Sequence, residues 1–386
     1  MRIGQWDSAT AADAYVIAEI GVNHNGDLSL AHEMIDIASD AGANCAKFQT
    51  FHADQFCGDP TEMFSYVSQG VEVTESMRDM FRRFELPDDS WDGLAKHCKD
   101  RGVDFMTTPQ DLSDLKLVSH IDLPAIKVGS DDLVNTWLIS RYRDAGLPII
   151  LSSGMADIDE VELALTAAGW PESGDVAVLV CTSTYPTPPN SANLGRISTL
   201  KRTFPGLIIG FSDHTEGAGA ATVARTLGAV IFEKHFTTSH DLPGPDHWFS
   251  ADPSDLREWI DAIRNVDVLF GDGVVRPTDA EHDMRRLARR AATALQDIAP
   301  DEVLTEANVG LRRPALGIPP RDFEALLGKR ATRAIKAWEP IREADAQLRG
   351  AGWILKSSLR QLGYRRTDSI PWCSSMENHT SAAAST

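Results

Sequence analysis

Eight short apolar runs, each followed at once by polar or charged residues, constrain this chain more than any other feature. They are Tyr15–Ile20, Asn44–Phe48, Val103–Met106, Ala125–Val128, Pro148–Leu151, Val176–Cys181, Leu207–Phe211 and Ala229–Glu233. Runs this short, rich in β-branched residues and bounded by turn formers, read as buried strands. Longer stretches of helical period lie between them: Leu28–Ala41, Asp89–Arg101, Leu133–Ala145, Asp157–Ala168 and Gly217–Leu227. Several stop at a glycine (Gly42, Gly102, Gly146, Gly228), the residue that takes a left-handed helix C-cap at little cost. Strands alternating with helices pair in parallel. Eight such units within about 280 residues fit an α/β fold of the (β/α)8 TIM-barrel type, which needs about 250. An open doubly wound sheet is the alternative, but no GxGxxG follows the first run, which weakens a dinucleotide-binding version.

The strand ends carry Glu19 with Asn23, His24 and Asn25; Lys47 and Gln49; Thr107 and Thr108; Lys127 and Ser130; Ser152 and Ser153; Ser183 and Tyr185; Ser212, Asp213 and His214; and Glu233, Lys234 and His235. In a parallel barrel these ends meet at one face, where barrel active sites lie. A buried charge costs several kcal/mol unless it is paired or used. Packing can explain one polar strand end; it does not explain eight. Lys47 and Lys127, taken singly, can be interior lysines paired with Glu19 or Glu233. Together with the hydroxyls of Thr108, Ser130, Ser152 and Ser212 they form a cradle for phosphate or carboxylate. His214 and His235 end consecutive runs and can stand side by side. Neutral imidazoles favour Mn, Fe, Co or Zn over Ca or Mg, and two of them leave positions open for substrate oxygens. Two satisfied histidines in barrel loops are the plainer alternative. His24, His240 and His247 are expected at the surface or in supporting positions. The segment Leu242–His247 (LPGPDH) is a stiff turn, either a plain connection or a device that holds Asp246 over the mouth.

Charge narrows the partners. Lys and Arg number 37 against 56 Asp and Glu, a formal net charge of −19. That argues against nucleic acid, whose phosphates need clustered cations, and against an anionic membrane surface. An anionic small substrate must meet a local basic pocket within a repulsive field. The five cysteines (Cys45, Cys57, Cys98, Cys181, Cys373) form no CxxC pair, so reduced thiols and a cytoplasmic location are expected. No stretch reaches the ~20 apolar residues of a membrane helix, and no signal-peptide pattern opens the chain. The texture changes near Arg285 to short runs broken by Gly and Pro. The expected organisation is a barrel over 1–284, a small irregular domain over 285–346, and a partly disordered extension over 347–386 containing one helical pattern, Gly352–Tyr364.

The motifs AEIGVNHNG (Ala18–Gly26), KFQTF (Lys47–Phe51), IKVGSDDL (Ile126–Leu133), SSGMA (Ser152–Ala156), CTSTYPTP (Cys181–Pro188), FSDHTEG (Phe211–Gly217), EKHFT (Glu233–Thr237) and LPGPDH together resemble the sialic acid synthase family. The later segments LRRPALGIPP and LLGKRATRAIKAWEPI resemble its C-terminal antifreeze-like (SAF) domain. The resemblance implies a carbon–carbon bond-forming transferase in carbohydrate biosynthesis. Such an enzyme condenses phosphoenolpyruvate with an open-chain 2-acetamido sugar to a nine-carbon 2-keto acid and phosphate. It implies that Lys47, Thr108, Lys127, Ser130, Ser152 and Ser212 hold phosphoenolpyruvate, and that Gln49, Ser183, Tyr185, Glu233 and Asp246 face the sugar. His214 and His235 would hold a divalent metal: manganese first, with magnesium or cobalt as alternatives. Glu19 would be the acid/base, and Arg313 would be lent by a partner's SAF domain in a domain-swapped homodimer. Ser183 stands where neuraminate-making members carry asparagine, which resembles the pseudaminate branch, whereas LPGPDH resembles the neuraminate and legionaminate branch. The acceptor therefore stays open between N-acetylmannosamine and a 2,4-diacetamido-6-deoxy hexose. The stretch Phe64–Thr74 is expected near the sugar. A metal-dependent barrel hydrolase is a second reading, but it lacks a His-x-His pair at the first strand; a non-catalytic carbohydrate-binding relative is a third.

Overall fold

The computed structural model describes residues 1–172 and 175–346. The expected extension over 347–386, with its helical pattern, lies outside the described residues. The chain forms two compact units, Met1–Gly273 and from Val274 onward.

The first unit is a closed barrel of eight parallel strands: β1 (Tyr15–Gly21), β2 (Cys45–Thr50), β3 (Asp104–Pro109), β4 (Ile126–Val128), β5 (Ile149–Ser152), β6 (Val176–Cys181), β7 (Ile208–Ser212) and β8 (Ile231–His235). The pairing of β8 with β1 closes the sheet in register, Ile231 opposite Tyr15 and His235 opposite Glu19. The helices begin and end where the local chemistry dictates. Asp27 caps Leu28–Ala41 by accepting from the Ser29 amide at 2.7 Å. The predicted stop glycines Gly42, Gly102, Gly146 and Gly228 take φ of 90°, 73°, 73° and 93°.

Period-two alternation sorts each strand into two faces. Val16, Ala18, Phe48, Val128, Leu151, Val178 and Phe232 face the helices in the large core. Tyr15, Ile17, Cys45, Met106, Ala125, Ile150, Ala177, Leu179 and Ile231 fill the barrel interior. Ile3 and Trp6, from the small N-terminal hairpin Arg2–Ile3 and Trp6–Asp7, join that interior cluster. One or two pleats farther along, the same inward parity delivers Glu19, Lys47, Gln49, Thr108, Lys127, Ser152, Cys181, Ser212, Glu233 and His235. The apolar layer therefore fills one end of the barrel, and the polar layer stands at the C-terminal ends of the strands.

Between β2 and β3 the chain inserts an antiparallel hairpin, Met63–Ser68 with Val71–Ser76. Glu75 pairs with Arg83 and accepts from the Tyr66 hydroxyl at 2.6 Å. Ser68 Oγ accepts from the Gly244 amide at 3.0 Å, and Gln69 Nε2 donates to the Asp241 carbonyl at 2.7 Å. The hairpin end is thus tied to the loop that carries Asp246. Among the described residues no helix is long and apolar enough to cross a membrane, and Cys45, Cys57, Cys98 and Cys181 are free thiols.

The second unit carries the antiparallel pair Ala291–Ala294 and Val309–Arg312. Its own core gathers Ala292, Ile298, Leu304, Val309, Leu326, Ile335 and Ile341. Regular structure is sparse, as its Gly/Pro-broken texture predicts, and isolated bridges such as Ile298 with Ile335 stand in for longer ladders.

Candidate active site

Two ammonium groups and two carboxylates occupy the barrel mouth, all buried. Lys47 Nζ lies 2.6 Å from Glu19 Oε2 and 3.7 Å from Glu233 Oε2. Lys127 Nζ lies 3.7 Å from Glu233 Oε1. Each lysine also donates to a hydroxyl oxygen, Lys47 to Thr108 Oγ1 at 3.0 Å and Lys127 to Ser152 Oγ at 2.7 Å. Ser212 donates to Glu233 Oε1 at 3.0 Å, and Gln49 Nε2 donates to Glu19 Oε1 at 3.2 Å.

Burial acts on these groups unequally. It raises the Glu19 carboxyl above the usual carboxylate range, and Lys47 only partly opposes it. Burial also pushes Glu233 upward, but Lys127 and Lys47 outweigh it and hold that carboxyl low. Burial lowers the Lys127 ammonium, with partial relief from Glu233. Two carboxylates whose environments drive their affinities for protons apart suit one for proton transfer and the other for a fixed charge.

Beside this quartet stands a ring cluster. His214 and His235 have ring centroids 5.6 Å apart. Tyr185 packs 4.2 Å from His214 and 6.0 Å from His235. His214 Nδ1 sits 2.9 Å from the Thr182 carbonyl, which puts a proton on Nδ1, so in the neutral ring Nε2 carries the lone pair. His235 Nδ1 is buried without a hydrogen-bond partner, and Asp246 Oδ2 lies 3.8 Å away. Burial, with His214 beside it, keeps His235 neutral, and burial raises Asp246 to about 6.

Ser130 and Ser183 face each other across Gly154. A Cβ at Gly154 would come within 2.3 Å of Ser183 Oγ and 2.6 Å of Ser130 Oγ, so only glycine lets both hydroxyls approach. Ser130 Oγ accepts from the Gly154 amide at 3.0 Å, whereas Ser183 Oγ is buried and unpartnered. Glu233 Oε2 is likewise buried without a hydrogen-bond partner. Polar atoms of this kind cost free energy unless something fills the site.

The structure thus brings Glu19, Lys47, Gln49, Thr108, Lys127, Ser152, Ser212 and Glu233 into one network, and His214, His235, Tyr185 and Asp246 into a second cluster. The two adjoin: a Cβ at Gly21 would lie 3.4 Å from both Glu19 Oε1 and the His235 ring. Arg313 belongs to the second unit, where it is exposed directly after Val309–Arg312. Sequence reasoning passed over Cys181, whose Sγ lies 3.8 Å from His214 Nδ1, and Phe249, packed 5.0 Å from Tyr185. Cys181 was findable, since it shares inward parity with Ala177 and Leu179; Phe249 follows a loop and carries no periodic signal.

Of the two positions expected for His24 and His247, at the surface or in support, the surface is excluded, because both are buried. His247 binds Thr237 Oγ1 at 2.7 Å and Asn25 Oδ1 at 3.1 Å, bracing the loop that holds Asp246. His24 Nδ1 accepts from the Gly26 amide at 3.0 Å, so a second proton there would face an N–H. Burial lowers its pKa to about 4. An unfolded histidine titrates near 6.5, so the stability held above that pH is lost as pH falls toward 4, by about 3 kcal/mol. Urea midpoints measured at both ends of this window should show the loss, and His24→Gln should shrink it; an equal loss in the variant would assign the acid sensitivity elsewhere.

Residues 34–275 match the NeuB family, and residues 289–347 match the SAF domain. The chain belongs to the NeuB family. It is 36% identical over 330 residues to the N,N'-diacetyllegionaminic acid synthase of Campylobacter jejuni, covering 85% of this chain and 98% of that protein. It is 29% identical to the pseudaminic acid synthase of Helicobacter pylori, over 86% of this chain and 97% of the relative. The crystal structure of the N-acetylneuraminic acid synthetase of Leptospira borgpetersenii, in complex with citrate, superposes with a TM-score of 0.62 at 31% identity. It covers 70% of this chain and 90% of that one. This NeuB-family member is an enzyme of the sialic-acid-synthase type.

The family implies a divalent ion, and the donors present fit one. The free Nε2 of His214, the orphaned Nδ1 of His235 and the adjacent Asp246 carboxyl are of the right kinds. Among the described residues no group of three or more His, Cys, Asp and Glu side chains is gathered as a ready ligand shell, so substrate or water oxygens would have to complete the coordination.

Proposed function

We propose that this enzyme joins phosphoenolpyruvate to the open-chain aldehyde of an N-acetylated amino sugar, giving a nine-carbon 2-keto acid and phosphate. The observation that carries this reading is the buried quartet of Lys47, Lys127, Glu19 and Glu233 beside two imidazoles at one barrel mouth. Likeness to the diacetyllegionaminic acid synthase favours a 2,4-diacetamido-6-deoxy hexose as acceptor, with N-acetylmannosamine as the alternative.

Lys47 with Thr108 and Lys127 with Ser152 bind the phosphate and carboxylate, and Ser130 and Ser212 add donors. The incoming anions take over the ammonium groups, which frees Glu19 for proton transfer. Carbon 3 of phosphoenolpyruvate attacks the aldehyde carbon, and positive charge develops at carbon 2. A water adds there as Glu19 takes its proton and passes it to the alkoxide left on the former aldehyde, and the adduct's hydroxyl gives its proton to the departing phosphate as the 2-keto group forms. Alignment of two small reactants supplies a large share of the acceleration, and fixed cations stabilise the departing phosphate. A divalent ion bound at His214 and His235, manganese in preference to magnesium or cobalt, supplies Lewis-acid polarisation of the aldehyde oxygen. Gln49, Ser183, Tyr185, Glu233 and Asp246 orient the sugar, and Arg313 reaches it from a second copy in a domain-swapped homodimer. In this reading the barrel domain spans 1–284 and the SAF domain 285–346, and the buried free thiols suit a reducing cytoplasm.

The test is phosphate release from phosphoenolpyruvate with each sugar, with none, and with and without manganese. Release should require a sugar, and removing divalent metal with EDTA should abolish it until manganese is restored. The absence of release with every acceptor would refute the assignment.

A further inference from the structure

Five arginines of the second unit converge on one open cleft. Arg285 and Arg286 lie in the last turn of the helix His282–Ala288, Arg289 and Arg290 follow it directly, and Arg321 comes from the short turn Pro320–Asp322. The cleft encloses about 570 Å³. Apart from His282, the rest of the lining is apolar: Ala291, Ala315, Gly317, Pro319 and Pro320. Two of the lining segments are joined, since the Ala315 amide donates to the Arg286 carbonyl at 2.9 Å. Gly317 has no room for a side chain, because a Cβ would meet the Ala292 and Ile341 carbonyls at 2.4 and 2.6 Å.

Composition does not account for this cluster, because acidic residues outnumber basic ones 56 to 37 over the chain. Local carboxylates neutralise little of it. Arg286 lies 3.9 Å from Asp283, an exposed pair of a kind worth about 1 kcal/mol at most, and Arg321 lies 3.4 Å from Asp322. Arg285, Arg289 and Arg290 have no ion-pair partner among the described residues. Arg285 and Arg286 also offset the negative end of the helix dipole, a use that does not extend to Arg289, Arg290 or Arg321. Five like charges lining one cleft repel one another, and an anion in the cleft relieves that repulsion.

We infer that this cleft binds a nucleoside di- or triphosphate. Guanidinium groups recognise phosphate oxygens in pairs, and five of them match the several charges of a phosphate chain better than one carboxylate. The volume exceeds what inorganic phosphate fills, and the prolines and alanines of the lining offer apolar contact to a base. The cleft is open, so affinity is modest and depends on salt.

The test is calorimetric titration of the full chain with CTP, ATP, tripolyphosphate, inorganic phosphate and phosphatidylglycerol vesicles. It compares wild type with the triple variant Arg285→Ala, Arg289→Ala, Arg290→Ala, whose fold is checked by thermal melting. The comparison isolates the cleft from anion binding at the barrel mouth. Saturable nucleotide binding should weaken at least about tenfold in the variant, and about tenfold on raising salt from about 0.05 to 0.5 M, which shortens the Debye length severalfold. Nucleotides binding severalfold tighter than tripolyphosphate would support the base contact, and inorganic phosphate should bind weakest. Equal nucleotide affinity in both proteins, tripolyphosphate matching the nucleotides, or capture of vesicles without nucleotide binding would each overturn the assignment.

Discussion

Lys47→Met is expected to destabilise the barrel by about 3–5 kcal/mol, the cost of stranding buried carboxylates. Lys47 is buried, 2.6 Å from Glu19 and 3.7 Å from Glu233. Without its ammonium, two carboxylates share the single charge of Lys127, which lies near Glu233 alone. Adding Glu19→Gln should return more than half of the loss, because the amide keeps the shape of the side chain and removes the charge. Urea unfolding of the two single variants and the double variant makes the comparison, and the coupling between the sites isolates the pair from changes in packing. If Lys47→Met costs less than about 1 kcal/mol, the value for exposed pairs, then water reaches the mouth and the quartet is not the desolvated arrangement described above.

Glu19→Gln by itself should lower kcat by about 10²–10⁴, the range for loss of a positioned acid/base, while manganese affinity stays within about twofold. Its carboxyl is the one in the quartet whose net shift is upward, and it lies beside His235 without being one of the imidazole donors. The two readouts separate its roles. A fall in both turnover and metal affinity would make Glu19 a metal ligand, and near-normal turnover would remove it from the chemistry. Glu233→Gln should behave differently, raising the KM for both substrates, because its charge orients Lys47 and Lys127.

The barrel was legible because two local signals agreed. The strand runs Tyr15–Ile20 and Val176–Cys181 match the observed strands Tyr15–Gly21 and Val176–Cys181 to within one residue. The stop glycines mark the helix ends because a left-handed cap is a property of a single residue. The second unit was legible through motif resemblance and as irregular texture, but not strand by strand, since its isolated bridges between distant residues leave no periodic trace.

The site was legible in part for the same reason. Inward parity and position at a strand end are local, so Glu19, Lys47, Lys127, Ser152 and Glu233 could be named from the chain alone. For His24 and His247 the chain alone left surface and supporting positions both open, because burial in a loop depends on which other loops cover it. Asn25 and Thr237 cover His247 from segments far apart in the chain.

The linear order of residues determined which side chains share the barrel mouth, because β-pleat alternation and strand length depend on neighbours a few positions apart. Only the tertiary structure decided how they divide the work. The partners of Lys47, the opposed shifts of Glu19 and Glu233, and the vacant nitrogen of His235 arise from distances between strands and from exclusion of water, and neither is encoded within any one segment.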